Sequence, residues 1–201
     1  MKKQGIMMIR ILALGDSPTA GYGLAPEDSF ASRLEQALDN EGWDILVING
    51  GVSGDTARDG LRRLPGLMKH EPDLVIVQFG ANDLYAGLAA AEVRSSLERI
   101  MDICLDSGAS VLLAGIKGLL NQDDDWSRQF QQVYEQVARS RNIPLVPDFM
   151  PGIPGNPDLT LADGLHPGPA GVAIMVANIL PLVRSMFKNP RPGSVEKKEE
   201  N

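Results

Sequence analysis

Residues 9–18 read IRILALGDSP. The first six form an apolar run broken only by Arg10, and the run stops at Gly15-Asp16-Ser17-Pro18, a group suited to a turn. Short runs rich in Ile, Leu and Val, without polar alternation, mark strands buried on both faces of a parallel sheet. The same pattern returns at residues 45–48, 74–79, 111–114 and 144–146. Helical spacing fills the gaps: Phe30, Leu34 and Leu38; Leu61, Leu64 and Met68; Val93, Leu97, Ile100 and Cys104; Phe130, Val133, Tyr134 and Val137. A last helix is expected over residues 170–187. Strands alternating with helices imply right-handed crossovers and helices on both sheet faces. The expected fold is α/β, a three-layer α/β/α sandwich with about five parallel strands.

Composition narrows the function classes. A chain of 201 residues suits one domain, because a single core grows to about 250 residues before splitting. Hydrophobic residues make up 43% and charged residues 22%, which excludes a wholly disordered chain, collagen and a disulfide scaffold. The net charge is −7 and the pI about 4.8, so a basic footprint for nucleic acid or anionic lipid is absent. Cys104 is the only cysteine; it cannot close an intramolecular disulfide and reads as a packing thiol. The opening residues carry two lysines and an apolar run that Arg10 interrupts, and no A-x-A-type cleavage site follows. A cytoplasmic protein is expected. No run of 18 consecutive apolar residues suggests stable membrane insertion. Residues 1–188 are expected to form one domain, and residues 189–201, rich in proline and charge, a disordered tail.

In an open parallel sheet, function gathers at the carboxyl ends of strands. Gly15-Asp16-Ser17-Pro18 follows the first predicted strand, residues 49–55 (NGGVSGD) the second, and residues 80–83 (GAND) the third; residues 163–166 (DGLH) come late. Ser17 stands at a strand-to-helix turn, where it reads either as an N-cap or as a nucleophile beside a helix N-terminus. A serine nucleophile needs a base, usually a histidine held in one tautomer by a carboxylate. Of the two histidines, His70 falls at the end of a helix and before a strand, on the opposite edge. His166 lies three residues after Asp163, so one loop can hold both. The alternative is that this pair only starts the last helix, with Pro167 and Pro169. By elimination His166 is the base if there is one. Gly54 and Asn82 can offer N–H donors to an oxyanion, or can serve as turn residues.

These four blocks, in this order, resemble those of the GDSL, or SGNH, hydrolase family, over residues 12–182. Residues 52–65 (VSGDTARDGLRRLP) and 74–84 (LVIVQFGANDL) resemble the bacterial thioesterase–lysophospholipase–arylesterase branch. The resemblance implies the flavodoxin-like fold of that family. It implies Ser17 as nucleophile and as an oxyanion donor through its N–H, with Gly54 and Asn82 completing the hole. It makes His166 the general base and Asp163 its orienting carboxylate. Pro18 stands where the family commonly has leucine, a change that touches local packing. The implied activity is hydrolysis of ester or thioester bonds of short-to-medium acyl substrates through an acyl-enzyme, with no cofactor and no metal. Asp16, Leu84, Tyr85, Leu119 and Leu120 are expected at the substrate. Asp123-Asp124-Asp125 lacks calcium-loop spacing and reads as an acidic helix start. The competing readings are a carbohydrate O-deacetylase and a non-catalytic binding domain.

Overall fold

The computed structural model describes residues 8–119 and 125–187. Five strands form one sheet: β1 (Ile9–Gly15), β2 (Ile45–Gly51), β3 (Leu74–Gln78), β4 (Ser110–Ala114) and β5 (Leu145–Val146). Their order is β2-β1-β3-β4-β5, and every neighbouring pair is parallel. The helices are α1 (Ser17–Ala20), α2 (Phe30–Asp39), α3 (Ala57–Leu67), α4 (Ala81–Tyr85), α5 (Ala90–Asp106), α6 (Asp125–Arg141) and α7 (Pro169–Met186). The α/β sandwich expected from the sequence is the one observed.

Alternate residues of each strand enter opposite layers. Leu12 and Leu14, Val75 and Val77, and Val111 and Leu113 pack with α3, α5 and α6. Ile11 and Ala13, Leu74 and Ile76, and Leu112 and Ala114 pack with α2 and α7. Both faces are thus apolar, which accounts for the lack of alternation in the strand sequences. Cys104 lies in the first layer, buried, and desolvation pushes its thiol up to about 12. Among the described residues α7 alone is long and apolar enough to cross a membrane, yet Val172, Met175, Ile179 and Val183 are core residues.

Local rules set the helix starts. Ser29 caps α2 by accepting from Ser32 N–H, and Thr56 and Asp59 form a reciprocal capping box at α3. The strands outrun their apolar stretches. Asn49, Gly50 and Gly51 continue β2 by pairing with Ala13, Leu14 and Gly15, because the ladder bonds backbone groups whatever the side chains. The short helices α1 and α4 leave no periodic trace in the sequence. Residues 189–201 lie outside the described residues.

Gly51 fixes the approach of β2 to α1. A Cβ there would lie 2.2 Å from the backbone nitrogen of Ala20 and 2.5 Å from its Cα. Backbone cannot rotate aside as a side chain can, so α1 would have to move. Gly51→Ala is expected to destabilise the fold by about 1–3 kcal/mol in denaturant titration and to lower activity through α1. Unchanged stability would show that this contact is soft.

Candidate active site

The loops after β1, β2 and β3 meet the segment before α7 at the carboxyl edge of the sheet. The strand order reverses at β1, so β1 and β3 carry their following segments to either side of a crevice. Ser17 lies on one side, as the first residue of α1, and Asn82 on the other, in the first turn of α4. Ser17 is not the N-cap: that position belongs to Asp16, whose side chain makes no capping bond, and Pro18 falls second in the helix. Gly21, in the left-handed region, ends α1, with its N–H donating to the Ser17 carbonyl at 3.1 Å.

His166 Nε2 lies 3.0 Å from Ser17 Oγ, and His166 Nδ1 lies 2.7 Å from Asp163 Oδ2. Asp163 Oδ1 accepts from the N–H groups of Leu165 and His166, both at 2.9 Å. These bonds, the Leu165 N–H first, lower the Asp163 carboxyl to about 2. An ionised carboxylate only accepts, so His166 Nδ1 carries the proton and Nε2 is left to accept from Ser17. The pair does not cap α7, whose N-cap is Gly168. The Tyr22 ring lies against the imidazole with centroids 4.4 Å apart. His70 ends a 3-10 turn at the opposite edge, before β3.

Gly54 sits at φ +88°, a conformation that disfavours a side chain, and no atom comes within 4 Å of where its Cβ would stand. Gly54 is exposed and does not line the cavity beside Ser17. Asn82 Nδ2 donates to the Asp55 carbonyl at 2.9 Å and to Asp16 Oδ2 at 3.2 Å. A cavity of about 100 Å³ adjoins Ser17 and His166, lined also by Pro18, Ala81, Asn82, Tyr85, Leu119, Met150 and Leu165.

Two of the residues expected at the substrate do not line this cavity. Asp16 is fully buried, and it turns inward to Asn82 instead of facing the cavity. Leu84 packs against the core layer of α3, α5 and α6, because the helical turn of α4 points it away from Tyr85. Tyr85 and Leu119 do line the cavity, and Leu120 lies outside the described residues. Asp125 opens α6 and pairs with Arg128, while Asp123 and Asp124 are also outside the described residues. Met150 and Leu165 were not legible as lining residues; each sits in irregular chain where no period applies. Tyr22 gives only a weak signal, an aromatic residue soon after Ser17.

The fold and this arrangement define an SGNH-type serine hydrolase. The chain belongs to the GDSL-like lipase/acylhydrolase family, whose model matches residues 13–174. It is 39% identical over 161 residues to an arylesterase of Vibrio mimicus, covering 80% of each chain. It is 34% identical over 160 residues to thioesterase 1/protease 1/lysophospholipase L1 of Escherichia coli strain K12, covering 78% of this chain and 74% of that one. The crystal structure of TesA superposes with a TM-score of 0.83 at 35% identity, over 89% of this chain and 99% of that one.

Burial raises the Asp16 carboxyl to about 7, and the nearby carboxylates of Asp83 and Asp55 add to the effect while Gln78 opposes it. Among the described residues, Asp16 Oδ1 has no hydrogen-bond partner. A carboxyl raised on folding contributes stability below its unfolded value near 3.8 and loses it as pH rises through about 7. Asp16→Asn removes that ionisation and keeps an amide oxygen for Asn82. From roughly pH 5 to pH 8 the wild type is therefore expected to lose more thermal stability than Asp16→Asn. Equal losses would mean that Asp16 does not ionise in this range.

Proposed function

We propose that Ser17 is the nucleophile, His166 its base and Asp163 the group that orients the base. The Ser17–His166–Asp163 relay, at 3.0 Å and 2.7 Å, carries this reading. Ser17 Oγ attacks an ester or thioester carbonyl while His166 Nε2 takes its proton. The tetrahedral oxyanion receives N–H groups from Ser17, Gly54 and Asn82. Both Asn82 amide hydrogens meet protein acceptors in the free enzyme, and the oxyanion takes over the longer bond, the one to Asp16. The C–O or C–S bond then breaks, and the leaving oxygen or sulfur takes the proton from His166. Water repeats the two steps on the acyl-enzyme and frees the acid.

The reading of short-to-medium acyl substrates rests on the cavity beside Ser17. Its volume of about 100 Å³ is small against the roughly 300–1,000 Å³ of pockets for drug-sized ligands. Leu119, Met150 and Leu165 offer an apolar wall, and the exposed Tyr85 stands at the rim. Names of the relatives, arylesterase and thioesterase 1, are in keeping with aryl ester and thioester leaving groups.

Hydrolysis of p-nitrophenyl esters from acetate to palmitate tests both claims. Ser17→Ala or His166→Ala is expected to lower kcat by about 10⁴-fold or more. Near-normal turnover by either would remove that residue from the mechanism. In the wild type, activity is expected to peak at short or medium chains and fall by palmitate. A rate that climbs steadily to palmitate would contradict the size assigned to the cavity.

A further inference from the structure

One side chain outside the relay joins the segments that carry the oxyanion donors. Arg63 lies on α3, with its guanidinium mostly shielded from solvent. Its Nε donates to Asp55 Oδ2 at 2.6 Å, its Nη2 to the Gly15 carbonyl at 2.8 Å, and its Nη1 to the Gly50 carbonyl. The guanidinium carbon stands 5.9 Å over the Phe79 ring, at the end of β3. Each partner borders a donor. Gly15 precedes Asp16-Ser17, Gly50 is next to the last residue of β2 and shortly before Gly54, and Asp55 follows Gly54 directly. Asp55 also reaches the third donor, since its carbonyl accepts from Asn82 Nδ2.

We infer that Arg63 is a positioning residue that sets the mutual spacing of Ser17 N–H, Gly54 N–H and the Asn82 amide in the oxyanion hole. The inference rests on the roles proposed above for these three groups. A strand-end carbonyl can accept twice, and the Gly15 carbonyl takes the Val52 N–H at 3.0 Å as well as Arg63; the loops beyond the ladder are otherwise free to drift. A planar guanidinium offers five N–H groups in fixed directions, so one residue can tie β1, β2 and the Gly54–Asp55 loop in a set geometry. An ammonium at the same place is a point donor on a flexible stem and cannot span the three acceptors in one plane. Displacement of a donor by about 1 Å costs on the order of 100-fold in rate, so the loss appears in the chemical step.

The test uses Arg63→Lys and Asp55→Asn, with Asn82→Ala as the reference. Each is assayed for kcat and KM on a p-nitrophenyl ester, and for inhibition by an alkyl boronic acid, which forms a tetrahedral adduct on serine. Thermal melts show that each variant is folded at the assay temperature. Asn82→Ala is expected to lose roughly 10²–10³-fold in kcat. Arg63→Lys and Asp55→Asn are expected to lose roughly 10–100-fold in kcat with KM within about 2-fold, and to weaken boronate binding in step. Adding Arg63→Lys to Asn82→Ala is expected to cost less than Arg63→Lys alone. If Arg63→Lys does not fold, Asp55→Asn decides by the same readings. A lower melting temperature with unchanged kcat and boronate affinity would overturn the inference and leave Arg63 a purely structural tie. An unchanged kcat in Asn82→Ala would overturn the oxyanion reading and this inference with it.

Discussion

The contact between Ser17 and His166 joins residues 149 apart in sequence, and it exists only because the strands around it are parallel. Parallel strands send every following segment to the same edge. β1 delivers Ser17 there, β2 delivers Gly54, and β3 delivers Asn82. The chain from β5 to α7 returns to that edge with Asp163 and His166. Registry among β1, β2 and β3 therefore controls the site, and its extension to the Gly15–Gly51 pair brings β2 against α1. A shift in that registry would separate groups that must meet within hydrogen-bond distance.

Stability and chemistry make opposite demands beneath the site. The two apolar layers end at a small polar cluster of Asp16, Thr19, Gln78 and Asp83, all buried. Gln78 Oε1 accepts from Thr19 Oγ1 at 2.9 Å, and Asp83 accepts from the Ala57 N–H at the start of α3. Burial also raises the Asp83 carboxyl, against the Ala57 bond. Buried carboxyls cost stability when ionised, and the surrounding layers of Leu, Ile, Val and Phe offset that cost. What is gained is a fixed backing for Asn82 and for the start of α3. Arg63 pairs with Asp55 beside this cluster.

Most of the frame was legible in the sequence. Strands buried on both faces need continuous Ile, Leu and Val, and helices need apolar residues every three or four positions, so both leave periodic traces. The roles proposed for Ser17, Asp163 and His166 were legible because few residue types can act as nucleophile, base and orienting acid, and only two histidines were available. Other features left no such trace. α1 and α4 are shorter than the helical period needs, so the sequence does not fix the place of Ser17 within its helix or the side to which Leu84 turns. The inward direction of the Asp16 side chain depends on Asn82, 66 residues away, and Gln78 holds the Asp16 backbone N–H. Arg63 reads in sequence as one more polar residue of an amphipathic helix; its role depends on two strand-end carbonyls that the sheet brings together.

The most direct test of the central claim is covalent labelling with an alkyl fluorophosphonate, followed by peptide mass mapping. The serine oxygen displaces fluoride and retains the phosphonyl group, so the reagent reports an activated nucleophile without assuming a substrate. The account predicts one adduct per chain, on Ser17, with loss of esterase activity in parallel and slow labelling in His166→Ala. An adduct on another residue, or full esterase activity after complete labelling of Ser17, would contradict it.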